Sequence, residues 1–314
     1  MTWTRLGTIY VPDGSRPWSR SHASLPVPVQ IDVDLFRFFF STRDEESRSH
    51  VGWVDVDLSD RPQVVREAPA PALAPGEDGT FDDSGVGVGC LTPSDTGHRL
   101  YYMGWNLGTR SPWRNSIGLA EAGPSLDRFA RFSPGPIIDR SPENPYTFSY
   151  PCVVRMGPDD WWMWYGSNLG PGLSNTNLRH VLKLARSADG LKWYCDKRTI
   201  LGFANADEYV VARPTVVRIA GRFLMGLACR GPYYRIGAAW SDDGIKWTRI
   251  DDSMGLDRSC EGWDSEMACY PALFVHRERL WLAYNGNEFG KTGFGLARWD
   301  DERPLEDVMA SPTM

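Results

Sequence analysis

The sequence has no long apolar run, no basic excess and almost no helical periodicity. Nowhere in its 314 residues do eighteen apolar side chains follow one another, so no membrane-spanning helix is expected. Lysine and arginine number 34 against 40 aspartates and glutamates, a formal net charge of −6. That balance lacks the clustered positive footprint that phosphate backbones require, and no nucleic-acid partner is expected. Six cysteines stand at 90, 152, 195, 229, 260 and 269 with no CxxC pair, and no histidines have zinc-finger spacing. Neither a metal nor a disulfide framework is suggested, no cofactor is implied, and most of the thiols are expected to act as small buried apolar groups. The first ten residues show no basic stretch leading into an apolar one, so a cytoplasmic location without a membrane partner is expected.

Aromatic residues, by contrast, are abundant, with 14 Trp, 12 Tyr and 13 Phe. They recur with a period. Strongly aromatic strands are expected at 36–41 (FRFFFS), 100–104 (LYYMG), 161–166 (WWMWYG), 223–228 (FLMGLA) and 280–285 (LWLAYN), starting 57 to 64 residues apart. An apolar strand, often led by Pro, precedes each at 26–33, 86–91, 151–155, 214–219 and 271–275, and a small-residue strand follows each at 50–56, 115–120, 180–186, 235–240 and 293–299. Short strands at regular spacing, bounded by Gly, Pro, Asn and Asp, signal an all-β array. The connections 69–82, 168–178 and 251–264 read as surface loops.

Two repeats carry the same turn after their third strand, 187–193 (SADGLKW) and 241–247 (SDDGIKW). Glycine accepts the positive φ of such a turn, so each is expected to be the hairpin into an outer fourth strand, with its Trp packed between neighbouring repeats. The last repeat has no fourth strand of its own. Residues 2–6 (TWTRL) resemble 246–250 (KWTRI), so the N-terminal segment is expected to supply it. The expected fold is therefore an all-β, five-bladed β-propeller, a single domain over 1–314 with the ring closed by the N-terminal strand in the last blade. Its blades fall near 19–68, 81–133, 145–201, 207–250 and 264–300 with 2–10.

In a propeller the first strand of each blade lines the central channel, so the segments at its start converge on one funnel. They bring His22, Asp82, Asp83, Tyr150, Glu208, Arg213, Asp264, Glu266 and Tyr270. Ionisable and phenolic groups are costly to bury unless paired, and such a gathering marks a candidate site. Each has a structural alternative: Glu208 and Glu266 as ion-pair partners, Asp83 as a turn cap, His22 as a satisfied structural histidine, the tyrosines as packing rings. Trp105, with Trp18, Trp113 and Trp263, falls in a loop near a strand end, where a ligand would cover it.

The five repeats, the Asp-Gly-x-x-Trp hairpins and Asp83-Ser84-Gly85 at the start of the second repeat resemble the five-bladed propeller glycosidase superfamily, which includes arabinanases, β-xylosidases, invertases, fructosyltransferases and mannoside phosphorylases. Those families place acidic residues beside the Pro that heads a first strand. Here the positions read Leu25-Pro26, Tyr150-Pro151, Arg213-Pro214 and Tyr270-Pro271, with Asp83, Glu208 and Glu266 a few residues upstream. The resemblance implies a carbohydrate-active, glycoside hydrolase-like enzyme whose partner is a small or charged glycoside. Cleavage needs an acid for the leaving oxygen and a second group for the anomeric carbon, expected as Glu266 or Glu208 and Asp83. Arg213 and Arg43 would hold a phosphate or carboxylate substituent, and His22, Tyr150, Asp264, Tyr270 and Trp105 would complete the substrate contacts. The alternatives are a sugar-binding propeller that has lost its acids, a scaffold for protein partners, and a variant in which Tyr150 or Tyr270 is the nucleophile.

Overall fold

The computed structural model describes residues 2–171, 178–301, 303, 306 and 307. Short runs of aromatic and β-branched residues cut by Gly, Pro and Asp give antiparallel strands, with only single helical turns between them. The chain opens with β1 (Trp3–Tyr10). A first unit follows with β2 (Ser21–Gln30), β3 (Leu35–Arg43), β4 (Ser49–Asp57) and β5 (Gln63–Glu67), and a second with β6 (Gly85–Ser94), β7 (Gly97–Leu107), β8 (Trp113–Ala122) and β9 (Ala130–Arg131). The third has β10 (Phe148–Gly157), β11 (Asp160–Asn168), β12 (His180–Ser187) and β13 (Tyr194–Cys195), and the fourth β14 (Val210–Ile219), β15 (Arg222–Arg230), β16 (Tyr234–Ser241) and β17 (Thr248–Arg249). The fifth has β18 (Cys269–His276), β19 (Arg279–Asn285) and β20 (Phe294–Trp299).

Within each unit successive strands pair antiparallel, and a single parallel bridge between Ser49 and Gly85 joins the first two units. The missing outer strand of the fifth unit is β1, which lies antiparallel to β20 with Trp3 opposite Trp299. Trp3 is buried there, edge-on to Trp299, and its indole N–H donates to the Met254 carbonyl at 2.9 Å. The turns at 187–193 and 241–247 use Gly190 and Gly244 at φ 70°, and their tryptophans reach back to the preceding unit, Trp193 against Tyr101 and Trp247 against Trp164. Of the expected loop 168–178, positions 172–177 lie outside the described residues. The expected loop 251–264 includes one helical turn, Asp251–Met254, because Asp251 turns its carboxylate back onto the Ala238 N–H.

The aromatic second strands have a definite job. Among the described residues buried side chains form five separate clusters, each sandwiched between one unit and the next, with the fifth unit packing on the first through Phe36, Phe38, Phe274, Trp281 and Phe294. Flat sheet faces need wide rings to fill the wedge between them, at about 25 cal/mol for each Å² taken from water. The first strands touch in cyclic order, β2 to β6 to β10 to β14 to β18 and back to β2. Residues hundreds of positions apart are thereby neighbours. Among the described residues no helix is long and apolar enough to cross a membrane.

Removing residues 2–10 strips the β20 edge and exposes the Trp299 cluster. Such a truncation is expected to lower the melting temperature by well over 10 °C or to abolish cooperative unfolding; melting at the full-length temperature would refute a stabilising role for β1.

Candidate functional site

Proline cannot donate to a strand ladder, and it pushes the residue before it away from helical backbone. In four first strands the X-Pro pair sits in a break of register: Leu25-Pro26 between Ser24 and Val27, Tyr150-Pro151 between Ser149 and Cys152, Arg213-Pro214 between Ala212 and Thr215, and Tyr270-Pro271 between Cys269 and Ala272. Leu25, Arg213 and Tyr270 adopt φ of 60°, 52° and 54°, a left-handed conformation that costs a bulky residue about 1 kcal/mol or more. These bulges re-aim the side chain before proline. Tyr150 and Tyr270, from the non-adjacent third and fifth units, meet edge to face at 5.5 Å, and Arg213 stands among Tyr150, Tyr270, Cys90 and Cys152.

The second unit makes room. Its strand reads Gly85-Val86-Gly87-Val88-Gly89, and a Cβ on Gly87 would fall 2.9 Å from the Tyr150 ring, one on Gly89 2.7 Å from Pro151. Glycine here permits close approach.

Arg213 is the unusual group. Two arginines are fully buried among the described residues, Arg37 and Arg213, each 1% exposed. Arg37 donates from Nε and Nη2 to both oxygens of Asp55, at 2.7 and 3.1 Å, and lies over the Trp53 ring. The same two nitrogens of Arg213 have no hydrogen-bond partner. Burial lowers its pKa, with the neighbouring thiols and phenols opposing that shift. Burial also pushes the Tyr150 and Tyr270 phenols up, which disfavours the phenolate that a tyrosine nucleophile would need. His22, at φ 65°, accepts or donates at Nδ1 to Ser21 Oγ at 2.8 Å, and burial with Arg43 and Lys291 lowers its pKa to about 4. Arg43 itself is exposed.

The carboxylates are distributed differently. Glu208, 5% exposed, is bonded through both oxygens to Arg249 at 3.1 and 3.2 Å, and also accepts the Ala204 N–H. Asp264 accepts from the Tyr284 hydroxyl at 2.9 Å and pairs with Arg5 at 3.2 Å. Asp82 repeats this arrangement with Tyr102 and Arg131, both at 2.9 Å. In all three an acid ahead of the first strand grips an arginine of the outermost strand, tying the unit together across its width. Asp83 accepts the Gly79 N–H at 3.1 Å and the Ser84 hydroxyl at 2.9 Å. Glu266 is exposed, and its N–H donates to Asn287 Oδ1 at 2.8 Å. Trp105 donates to Ser49 Oγ at 2.8 Å. Glu208, Cys229 and Asp251 also lie within 4.8 Å of one another, but Arg249 Nη2 touches all three and supplies the positive charge there.

Two aromatic residues outside the first-strand segments join Tyr270: Tyr234 at 6.4 Å and Phe289 at 6.2 Å between ring centres. They come from the hairpins between second and third strands. Because neighbouring strands run antiparallel, those hairpins lie at the same end as the first-strand starts, which is the signal that would have found them.

The fold that carries these residues is shared with solved glycoside hydrolases. A glycoside hydrolase structure superposes with TM-score 0.74 at 14% identity over 94% of this chain and 90% of its own. A Bacteroides ovatus glycosyl hydrolase gives 0.73 at 11% identity, over 96% and 94%. A structure from the GH130 family of mannoside phosphorylases, which contains glycoside hydrolases that target β-1,2-mannosidic linkages in Candida mannan, gives 0.72 at 12% over 96% and 94%. The fold is that of the propeller glycosidase superfamily. By sequence the chain belongs to one family with the uncharacterized Mycobacterium tuberculosis proteins Rv1502 of strain H37Rv and MT1551 of strain CDC 1551 / Oshkosh, each 42% identical over 299 residues, 95% of this chain and 99% of theirs. No family profile matches the chain.

Two measurements check the electrostatic assignments. Glu208→Gln leaves part of a buried ion-pair network open while Asp251 still holds Arg249, so a loss of about 2 kcal/mol in unfolding free energy is expected; an unchanged denaturant midpoint would show that the network is not structural. His22 and His180 both have pKa values lowered by burial to about 4 from 6.5. Between those values the unfolded chain binds protons that the folded chain does not, so stability falls as pH drops from 6.5 towards 4. Histidine NMR titrations should place both midpoints near 4, and midpoints near 6.5 would contradict the burial.

Proposed function

We propose that the chain is a single five-bladed β-propeller over 1–314, closed by β1 in the last blade, and that its central funnel acts on a small anionic glycoside as a glycoside hydrolase-like enzyme. The cyclic order of the first strands and the five inter-unit clusters support the architecture. Six free cysteines suit a reducing compartment such as the cytoplasm.

The observation that carries the functional reading is the unpartnered fork of Arg213. An isolated buried guanidinium costs several kcal/mol, and the fold spends backbone strain as well to hold it. Arg37 satisfies the same Nε and Nη2 pair with a carboxylate of its own chain. Arg213 is therefore complementary to a planar oxyanion brought by a ligand, a carboxylate or one face of a phosphate. Tyr150 and Tyr270 beside it offer ring edges and hydroxyls to the sugar, with His22 and Arg43 nearer the rim.

Hydrolysis of the glycosidic bond asks for two further groups. With Glu208 and Asp264 committed to Arg249 and Arg5, the acids left for chemistry are Glu266, as proton donor, and Asp83, as base or nucleophile. That same commitment of Glu208 favours a second reading, a sugar-binding propeller without turnover.

Replacing Arg213 by Met separates function from fold. Removing an unpaired buried charge is expected to stabilise the ligand-free protein by about 1–3 kcal/mol while weakening binding of uronic acids or sugar phosphates by about 100-fold or more. Calorimetric titration of a sugar panel beside aryl-glycoside turnover reads both; unaltered affinity in Arg213→Met would remove the anionic-glycoside reading. Asp83→Asn and Glu266→Gln are expected to cut turnover by about 100-fold or more with binding retained, whereas wild-type binding without turnover would establish the second reading.

A further inference from the structure

The turn from β19 to β20 is held in an unusual shape. Glu288, Phe289 and Gly290 take φ of 52°, 57° and 95° in succession, a left-handed run that L residues seldom adopt. Three bonds from elsewhere fix it. Asn287 donates its N–H to the Trp263 carbonyl at 2.8 Å and accepts at Oδ1 from the Glu266 N–H at 2.8 Å, and Ser24 Oγ of the first unit donates to the Phe289 carbonyl at 2.5 Å. A Cβ on Gly290 would lie 2.6 Å from Asn285 Nδ2, so glycine alone fits the close approach. Strain that the surroundings over-determine is a pointer to function.

Its product is the position of one ring. Phe289 stands edge-on to Tyr234 at 5.6 Å and tilted to Tyr270 at 6.2 Å. Tyr234 in turn lies under the Arg230 guanidinium, whose Cζ is 5.1 Å from its ring centre and 5.5 Å from that of Tyr209. Neither Phe289 nor Tyr234 belongs to any of the five buried clusters, and both remain half-buried rather than buried. A phenylalanine aimed at the funnel at the cost of strain, without joining the core, gains little from the protein alone. A covering ligand would supply the missing contact.

We infer that Tyr234 and Phe289 form a ring-stacking subsite on the funnel wall between the fourth and fifth units, taking the apolar face of a pyranose ring. The inference rests on the funnel reading above and extends it: Arg213 fixes the anionic substituent, and the Tyr234–Phe289 wall fixes the ring that carries it. A hexopyranose presents a patch of C–H bonds on one face, and aromatic rings match that patch where aliphatic side chains of equal size do not.

The test uses the full chain and two probes, inorganic phosphate and a panel of methyl glycopyranosides with and without a 6-carboxylate, titrated calorimetrically into wild type, Phe289→Leu and Tyr234→Leu. Leucine keeps apolar volume and loses the ring face. Expected is about a tenfold loss of glycoside affinity in each variant, with phosphate affinity and melting temperature unchanged. Glycoside affinity equal to wild type overturns the subsite and leaves the funnel reading standing. A parallel loss of phosphate affinity overturns it too, since a merely structural ring would disturb both probes. If wild type binds none of the glycosides, the funnel reading itself falls, and the subsite with it.

Discussion

The antiparallel pairing of β1 with β20 is the constraint on which the remaining structure depends. Five units whose buried clusters lie between neighbours have no common core, so each wedge of aromatic side chains is stable only while both of its faces are present. The N-terminal strand completes the fifth unit, buries Trp3 against Trp299, and lets Arg5 neutralise Asp264. The proposed funnel, with side chains drawn from positions 22 to 289, depends on that pairing, because β18 and β2 meet only when the two ends of the chain come together.

Left-handed backbone recurs at the starts of the first strands and in the turn beside them. Six of the eleven non-glycine residues with positive φ among the described residues are His22, Leu25, Arg213, Tyr270, Glu288 and Phe289. The remainder of the molecule is orthodox by comparison: the Asp82, Glu208 and Asp264 networks are satisfied, and Arg37 is bonded to carboxylates and carbonyl alike. A protein departs from local preference where something other than stability has been selected. The proposed funnel draws on that distribution as well as on the resemblance.

Much of this was legible in the chain because two signals agree. Aromatic strands with a fixed period identify the unit, and the likeness of TWTRL to KWTRI identifies the strand that the last unit borrows. The site was legible only in part. Acids ahead of first strands look alike in sequence whether they face a ligand or an arginine, and the partners that decide it, Arg131 for Asp82 and Arg5 for Asp264, lie 49 residues downstream and at the opposite end of the chain. Tyr234 and Phe289 went unread for another reason. Their hairpins carry no repeat signature, and the left-handed shape of 288–290 arises from bonds to Ser24, Trp263 and Glu266 that no local propensity encodes.

The run of glycines in β6 has a geometric corollary. Where four units each present a side chain before proline, the second presents none, and Tyr150 of its neighbour leans into the vacated space over Gly87. Repetition among the first strands is thereby broken: the second unit offers bare backbone where the third, fourth and fifth carry phenol and guanidinium groups before proline. So lopsided a lining has a handedness that a repeating one would lack, and a ligand of the proposed funnel would seat in one orientation but not in the reverse.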